Sequence, residues 1–421
     1  MNVRSPLSLP LLVGLLLAGC EPAPAKLPDP SPETPGPTGP GTQVPASERV
    51  SLRVPIPEGL RDVGSVFVVS RLHEERPAQE SVTAVAAGSQ EFEVQGLPGE
   101  VLAVSVLAPT GELSEAAMVQ AGASAYPGQK GPPRVVRVPQ DYATLQAAVD
   151  AAQAGDTVRV SPGKYYESVR LKSGIRLIGS GAGVTILDAE GKPGKLVDFS
   201  GATDVVVEGF TFQNVGTGHP CDRDVMLCGG DWYSAALYAD GHTPTSALVL
   251  HNVFRNNSIA AMLYFQARAV VRNNIFEHNT HGFVANHFQD VALLANNVFW
   301  EHSGEAIVSQ AAYLDILNNV VARSGVGIFH AYIQTGRIRC NLFFQNTTNG
   351  ADLHAVPPRF EIGQDGNIEL DPRFQAAAAG NFRPALGSPL IDAGCFDSLG
   401  LDENGTRQDI GAYGGPLGRW P

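Results

Sequence analysis

Charge is scarce in this chain, and what there is leans acidic. Only 17% of the 421 residues are Asp, Glu, Lys or Arg, and 42 acidic residues outnumber 29 basic ones, for a net charge of −13. No basic stripe offsets that balance, so the phosphate-neutralising surface that nucleic acids demand is excluded. Long apolar runs are missing as well. The run near the start, Leu7 to Leu17, is too short to cross a bilayer, and no later stretch is apolar enough. Helical periodicity is the third absence, because the repeated apolar runs do not recur with the period of an α-helix. What is abundant is Gly (46) and Pro (31), beside an apolar content of 43%. That composition describes a turn-rich all-β protein with enough apolar mass for a large core.

One stretch repeats. Asn252-Val253-Phe254, Asn274-Ile275-Phe276, Asn297-Val298-Phe299, Asn319-Val320-Val321 and Asn341-Leu342-Phe343 are one unit written five times, with Asn spacings of 22, 23, 22 and 22. A fixed period of this length marks a solenoid. The apolar runs are short, alternate with period two and carry Val, Ile and Phe beside Asn and Gly. Each repeat therefore reads as one coil of a parallel β-helix. Coils stack ~4.8 Å apart, the hydrogen-bonding distance between strands. Equivalent Asn side chains then lie over one another, each amide meeting the next at a corner whose left-handed backbone Asn tolerates. These five Asn are expected to be structural. Four positions further on, His278, Glu301 and Arg323 share a column and are expected to form a line of exposed ion pairs.

The chain divides into four parts. In residues 1–20, Arg4, the apolar run and Leu17-Ala18-Gly19-Cys20 resemble a secretory signal peptide closed by a bacterial lipobox. That resemblance implies cleavage before Cys20 and lipidation of it. The protein would then be held in the bacterial envelope, at the outer membrane or cell surface, by lipid alone. Residues 21–48 form a disordered tether, with nine Pro between Glu21 and Ser47. Residues 49–125 carry strand-like runs at 51–54, 65–69, 91–94 and 101–106, read as a small antiparallel β-sandwich, a spacer first, with carbohydrate binding open as its other role. Residues 134–421 are the solenoid. Its first element is an amphipathic helix from Asp141 to Ala152, with Leu145, Ala148, Val149 and Ala152 on one face, expected to cap the open end.

At these residues a family becomes visible. The capping helix, Gly155-Asp156-Thr157-Val158, Pro162-Gly163-Lys164-Tyr165 and Leu177-Ile178-Gly179-Ser180-Gly181 resemble the opening of pectin lyase-like right-handed parallel β-helix proteins. The segments Gly387–Gly394 and Gly405–Tyr413 resemble the ending of many secreted β-helix proteins with surface anchors. They are read as a C-terminal cap in which Asp392 and Asp409 are structural. The resemblance covers 135–421 and implies an all-β, single-stranded, right-handed parallel β-helix. The same fold carries lyases, hydrolases, esterases, epimerases and non-enzymatic adhesins, so it does not by itself assign an activity.

The repeat is interrupted once. Phe212 corresponds to Phe254, 42 residues on where 22 is the rule, which makes Gly216 to Tyr233 an inserted loop. Insertions in solenoids gather on one face, often the binding face. This one carries Cys221 and Cys228, expected to close a disulfide in an exported protein, with Cys340–Cys395 open as a second pairing. Asp222, Asp224 and Asp231 are candidate oxygen ligands for Ca²⁺, the one cofactor considered. The loop leads into Ala236–His242. Alternation places Leu237, Ala239, Leu263 and Val308 inward, and Tyr238, Asp240, Met262, Tyr264, Asn286 and Ser309 toward solvent, while His330 aligns with the inward set.

Nine of the ten His lie between His219 and His354, on this half of the chain. Tyr238, Asp240 and His242 are candidate acid–base residues. Trp232, Tyr233, Tyr264, Asn286, His287 and Arg223 are candidate contacts to a polysaccharide lying along the coils. The three acid–base candidates resemble the Tyr and Asp-x-His arrangement of alginate-epimerase-type β-helices. That resemblance implies proton removal and return at C5 of a uronate, with a cation, Arg223 or Arg255, neutralising its carboxylate. The expected function is binding of an extracellular polysaccharide by a monomer, with lyase or epimerase chemistry on a uronate-containing glycan left open. The competing expectation is a non-catalytic surface or adhesion protein.

Overall fold

The computed structural model describes the strands between Val50 and Gln120, and residues 134–420 apart from 219–232, 288–289, 332–335, 353–359, 396–400, 403 and 416. In the N-terminal part, Val50–Pro55 pairs antiparallel with Glu91–Gly96. Ser81–Val85, Ser65–Arg71, Val101–Leu107 and Leu113–Gln120 form a four-stranded antiparallel sheet in that order. One of these strands is poorly marked in the sequence. Leu113–Gln120 reads Leu-Ser-Glu-Ala-Ala-Met-Val-Gln, residues commoner in helices than in sheets.

From Val135 onward the chain is a right-handed parallel β-helix built from three parallel sheets of eight, nine and nine strands. Each coil visits them in one order. In the coil that starts at Ser246, sheet B takes Ser246–Leu250, sheet C takes Val253–Arg255 and sheet A takes Ile259–Tyr264, before Arg268–Arg272 re-enters sheet B. The Asn column is a continuous hydrogen-bonded ladder. Asn252 Nδ2 donates to Asn274 Oδ1 at 3.2 Å, Asn274 to Asn297 at 3.1 Å, Asn297 to Asn319 at 3.0 Å and Asn319 to Asn341 at 3.0 Å. A sixth rung, Asn341 to Asn367 at 3.2 Å, escapes the repeat because its spacing is 26.

The left-handed backbone falls beside the ladder rather than on it. His251, Asn273, Asn296, Asn318 and Cys340, each one residue before a ladder Asn, have φ between 51° and 56°. Asn256, His278, Glu301, Arg323 and Gln345, each four residues after, have φ between 53° and 57°. Two such bends turn the chain sharply around every three-residue strand of sheet C. Each costs about 1 kcal/mol or more for a residue with a side chain, and the ladder bonds offset that cost. A second ladder, Asn257, Asn279, His302, Ser324 and Asn346, runs five residues further on. Inside, Phe212, Phe254, Phe276 and Phe299 stack at centroid distances of 5.1, 4.8 and 4.6 Å, the coil spacing itself.

The helix is shorter than its apolar pattern, Leu145–Ala151, capped by Thr144 and buried through Leu145, Ala148 and Val149. Its apolar face joins the core of the first coils, as a cap must. The far end is covered by Phe360, stacked 4.9 Å from Phe343. The segment beyond Asn381, expected as a cap, instead runs back along the flank. Asn318 Nδ2 donates to Cys395 O, Asn296 Nδ2 to Asp409 O and Asn273 Nδ2 to Gly414 O, while His251 Nε2 meets Leu417 O. The left-handed column before the ladder is thus the rail for this strap. Cys340–Cys395 is disulfide-bonded at its start, with the Cα atoms 5.6 Å apart. Phe382, Leu390, Ile410 and Ala412 seal the outer face of sheet C over Ile275, Val298, Trp300, Val320 and Leu342.

A carboxyl pair fastens the strap. Asp402 Oδ1 accepts from Gly415 N and Oδ2 from Asp409 N, while Asp409 Oδ1 accepts from Asp392 N. Burial, and then the neighbouring Asp409 carboxylate, push Asp402 up to about 7. A carboxyl raised in the folded state contributes stability that is complete below the ordinary carboxylate range and is lost as pH rises through about 7. The melting temperature is therefore expected to fall by roughly 2 °C between pH 6 and 8, and Asp402→Asn to flatten that fall. Parallel melting curves in the two proteins would discard the raised Asp402 carboxyl.

Candidate functional site

Asp240 ends the sheet A strand Ala235–Asp240. Its backbone is fixed from both sides. Its N–H donates to Ser200 Oγ at 2.9 Å, and its carbonyl accepts from Thr245 Oγ1 at 3.1 Å. Ser200 is itself held by Asp198 Oδ1 at 2.5 Å. The Asp240 carboxylate then takes both the backbone N–H of His242, at 3.0 Å, and its ring Nδ1, at 2.5 Å. In the neutral imidazole, an Nδ1–H given to the carboxylate leaves the lone pair on Nε2, and the His242 side chain is 58% exposed. This is the arrangement of an oriented general base.

Gly241 makes the next contact possible. A Cβ there would lie 2.3 Å from Phe265 O and 2.4 Å from Ala267 N, so the corner of the following coil packs against bare backbone. That corner is left-handed at two successive residues, Phe265 (φ 56°) and Gln266 (φ 66°). It lays the Phe265 ring flat on His242, with centroids 4.0 Å apart and planes 5° from parallel. His287, from the coil after, meets Phe265 at 4.2 Å, tilted by 47°. Tyr264 stands edge-on to His287 at 5.5 Å. Three coils each give one ring to a single platform beside Asp240.

The expected face differs from this in several residues. Tyr238 points away from the solenoid interior, as alternation requires, but it is fully buried. It belongs to a second apolar cluster on the outer side of sheet A, with Tyr233, Ile259, Met262, Tyr264, Val284 and Val308. Lys195 Nζ lies 3.5 Å from its ring centroid. Asn286 and Tyr233 are buried too and hydrogen-bond each other at 2.6 Å, joining the exit of the insertion to the face two coils on. Tyr264 and Met262 are likewise buried.

Two assignments are reversed, Val308 from inward to outward and Ser309 from outward to inward. Val308 shares the outward column of Tyr238, Met262 and Val284. Ser309 and His330 share the inward column of Ala239, Leu263 and Ala285. The cause is one extra residue. Ile307 follows its ladder Asn by ten positions, whereas its partners Ala261, Phe283 and Ile328 follow theirs by nine.

Arg255 is not the cation of this face. It lies on sheet C with Nε on Gln213 Oε1 at 2.9 Å, and Lys195 is the ammonium that sheet A provides. Lys195 precedes the insertion and lies outside the five-fold repeat, so no column pointed to it. Phe265, the centre of the platform, was missed because it sits in a turn just after the strand. The His-rich half is not one site. His302 is sealed in the second ladder, where burial pushes it down to about 3, and His281 pairs with Glu305 at 2.7 Å. His278, Glu301 and Arg323 form the expected line at 3.3 and 2.7 Å. Cys20, Cys221, Asp222, Arg223, Asp224, Cys228, Asp231 and Trp232 lie outside the described residues. Among the described residues, no three His, Cys, Asp or Glu gather as a metal site would need, and no helix is long and apolar enough to cross a membrane.

A family described as NosD, periplasmic copper-binding protein, matches residues 150–355, just under half of the chain. The fold is that of the pectin lyase-like parallel β-helix proteins. Solved structures of this fold are similar at low identity. The A-module of mannuronan C-5 epimerase AlgE6 from Azotobacter vinelandii is 19% identical, over 49% of this chain and 66% of that module, with a TM-score of 0.31. Pectin methylesterase PemA from Erwinia chrysanthemi is 13% identical, over 61% and 99%, at 0.30. The catalytic domain of a GH87 α-1,3-glucanase is 11% identical, over 72% and 65%, at 0.30. No curated protein matches the chain.

Proposed function

We propose that this protein holds an extracellular polysaccharide on the ring platform of His242, Phe265 and His287, beside the Asp240–His242 pair. The observation that carries the reading is the parallel stack of Phe265 on His242 at 4.0 Å, with His287 at 4.2 Å beyond. The row of ring edges along three coils offers an apolar strip to a chain of sugars, and the polar groups beside it suit hydroxyls. In this reading residues 1–20 direct export, lipid on Cys20 anchors the chain in the envelope, residues 21–48 are the tether and residues 49–125 a spacer sandwich. The word periplasmic in the matched family's description supports export. Copper, named in the same description, finds no cage among the described residues. His242 Nδ1 is committed to Asp240, and Phe265 stands between His242 and His287.

Catalysis is the second reading, favoured by the fixed tautomer of His242. On a uronate, Nε2 would take the C5 proton, while Asp240 steadies the imidazolium that forms. The electron pair left at C5 then forms the C4–C5 double bond as the C4–O bond breaks, the leaving oxygen taking the proton back from the His242 imidazolium, which gives an unsaturated uronate; protonation of the same C5 carbanion by water from the other face gives the epimer instead. Tyr238 contributes no proton in this scheme, since its ring lies buried beneath Lys195.

The test is retention of the described protein on a panel of neutral and acidic glycans, with ultraviolet absorbance read for unsaturated uronates. Phe265→Ala is expected to weaken binding roughly tenfold or more, and His242→Ala to weaken it less while abolishing any turnover. Absence of retention on every glycan, or full retention by Phe265→Ala, would overturn the platform. Binding with neither unsaturated nor epimerised product would leave a non-catalytic binder.

A further inference from the structure

We infer that Asp290 is the positioning residue of the platform. Its carboxyl, sealed at the corner between sheets A and B, sets the left-handed bend that presents the Phe265 ring to His242 and His287. The inference deepens the glycan-binding reading and rests on it for its functional consequence.

Thr245, Ala267, Asp290 and Ala312 form one column at that corner. Arg268 N bonds to Thr245 O at 3.0 Å, Val291 N to Ala267 O at 3.0 Å and Tyr313 N to Asp290 O at 2.8 Å. Side chains in this column stitch the corner of the coil before. Thr245 Oγ1 accepts from Gly201 N at 2.8 Å, and Gly201 is a left-handed bend (φ 73°). Asp290 Oδ1 accepts from Ala267 N at 2.9 Å, directly after the left-handed pair Phe265–Gln266. A hydroxyl serves where the bend is a single glycine. A carboxyl stands where two residues with side chains must hold a conformation that costs each of them about 1 kcal/mol or more.

Asp290 is 0% exposed, and its Oδ2 has no partner. A buried carboxylate with an empty oxygen would be costly, so the group is held as the acid. Burial, opposed by the Ala267 N–H and reinforced by the charge of Asp240, raises it well above the usual carboxylate range. A neutral carboxyl here supplies an acceptor for the bend without placing a second negative charge beside Asp240.

The test reads ring geometry directly and needs no glycan. In protein with ¹³C-labelled histidine, the Cε1–H resonance of His242, identified by its loss in His242→Gln, is displaced by the ring current of Phe265, and Phe265→Ala abolishes that displacement. Asp290→Ala is expected to remove at least half of that displacement with an unchanged far-ultraviolet spectrum, and Asp290→Asn, which keeps an acceptor, to retain it. Glycan affinity is expected to follow, falling roughly tenfold in Asp290→Ala and recovering in Asp290→Asn. If Asp290→Ala does not fold, Asp290→Thr supplies the hydroxyl used at Thr245 and is expected to keep the displacement. An unchanged His242 resonance in Asp290→Ala, or its collapse in Asp290→Asn, would overturn the assignment. A resonance that responds as expected in a protein that retains no glycan would overturn the glycan reading alone.

Discussion

Asn297→Ala is expected to lower the free energy of unfolding by roughly 4 kcal/mol. The side chain is wholly buried at the middle of the ladder. Its Nδ2 donates to Val271 O at 2.9 Å and to Asn319 Oδ1 at 3.0 Å. Its Oδ1 accepts from Asn274 N at 3.0 Å and from Asn274 Nδ2 at 3.1 Å. Alanine therefore strands the Val271 carbonyl and the Asn274 backbone N–H, both on the coil before and in a place water does not reach, while Asn274 Nδ2 keeps Val249 O and Arg272 O. Each orphaned group costs about 1–3 kcal/mol. Asn346 is the comparison, because it sits half-buried at the end of the second ladder and donates to Val321 O at 2.8 Å. Asn346→Ala is expected to cost only about 1 kcal/mol. Urea unfolding followed by circular dichroism separates the two, and equal losses would show that ladder bonds are not what holds the coils in register.

The ladder also explains why so much of the solenoid was legible. A residue type recurring every 22 or 23 positions is visible without any knowledge of side-chain direction. The strands of sheets B and C then follow by counting, since Phe212 does pair with Phe254 and Phe254 with Phe276. Counting failed where the coil changed length. The extra residue before Ile307 inverted Val308 and Ser309, because a one-residue slip exchanges the faces of a strand.

Exposure failed for a different reason. Alternation says which side of a sheet Tyr238 occupies, but not whether another element covers that side, and a second apolar cluster does. The platform was hardest to see. His242 was found through its pairing with Asp240, whereas Phe265 reaches it through a bend that no propensity predicts for phenylalanine. The strap was misread for a related reason: its partners are the residues before the ladder, selected by backbone conformation and not by a shared side chain.

Gly241→Ala is expected to cost roughly 3 kcal/mol and to abolish glycan retention, although it adds one methyl group. The cost is one of space. Gly241 does not have the left-handed backbone that Gly201 and Gly209 have, so alanine could adopt its conformation freely. The three atoms its Cβ would meet, Phe265 O, Ala267 N and Gln266 C at 2.3 to 2.5 Å, are all backbone atoms of the next coil. None can retreat cheaply. Ala267 N is held by Asp290 and Ala267 O by Val291 N, so the corner is pinned from the far side. On the near side, Gly241 N donates to Tyr264 O at 2.8 Å, and Ser200 and Thr245 fix Asp240. The methyl must therefore force the coils apart where the rings meet, and a stack at 4.0 Å does not survive a displacement of an ångström. Gly183→Ala supplies the control, since nothing lies within 4 Å of its added carbon. It is expected to change stability by less than about 0.5 kcal/mol and to leave retention intact. If the two variants unfold and bind alike, the close approach at Gly241 is not what brings His242 and Phe265 together.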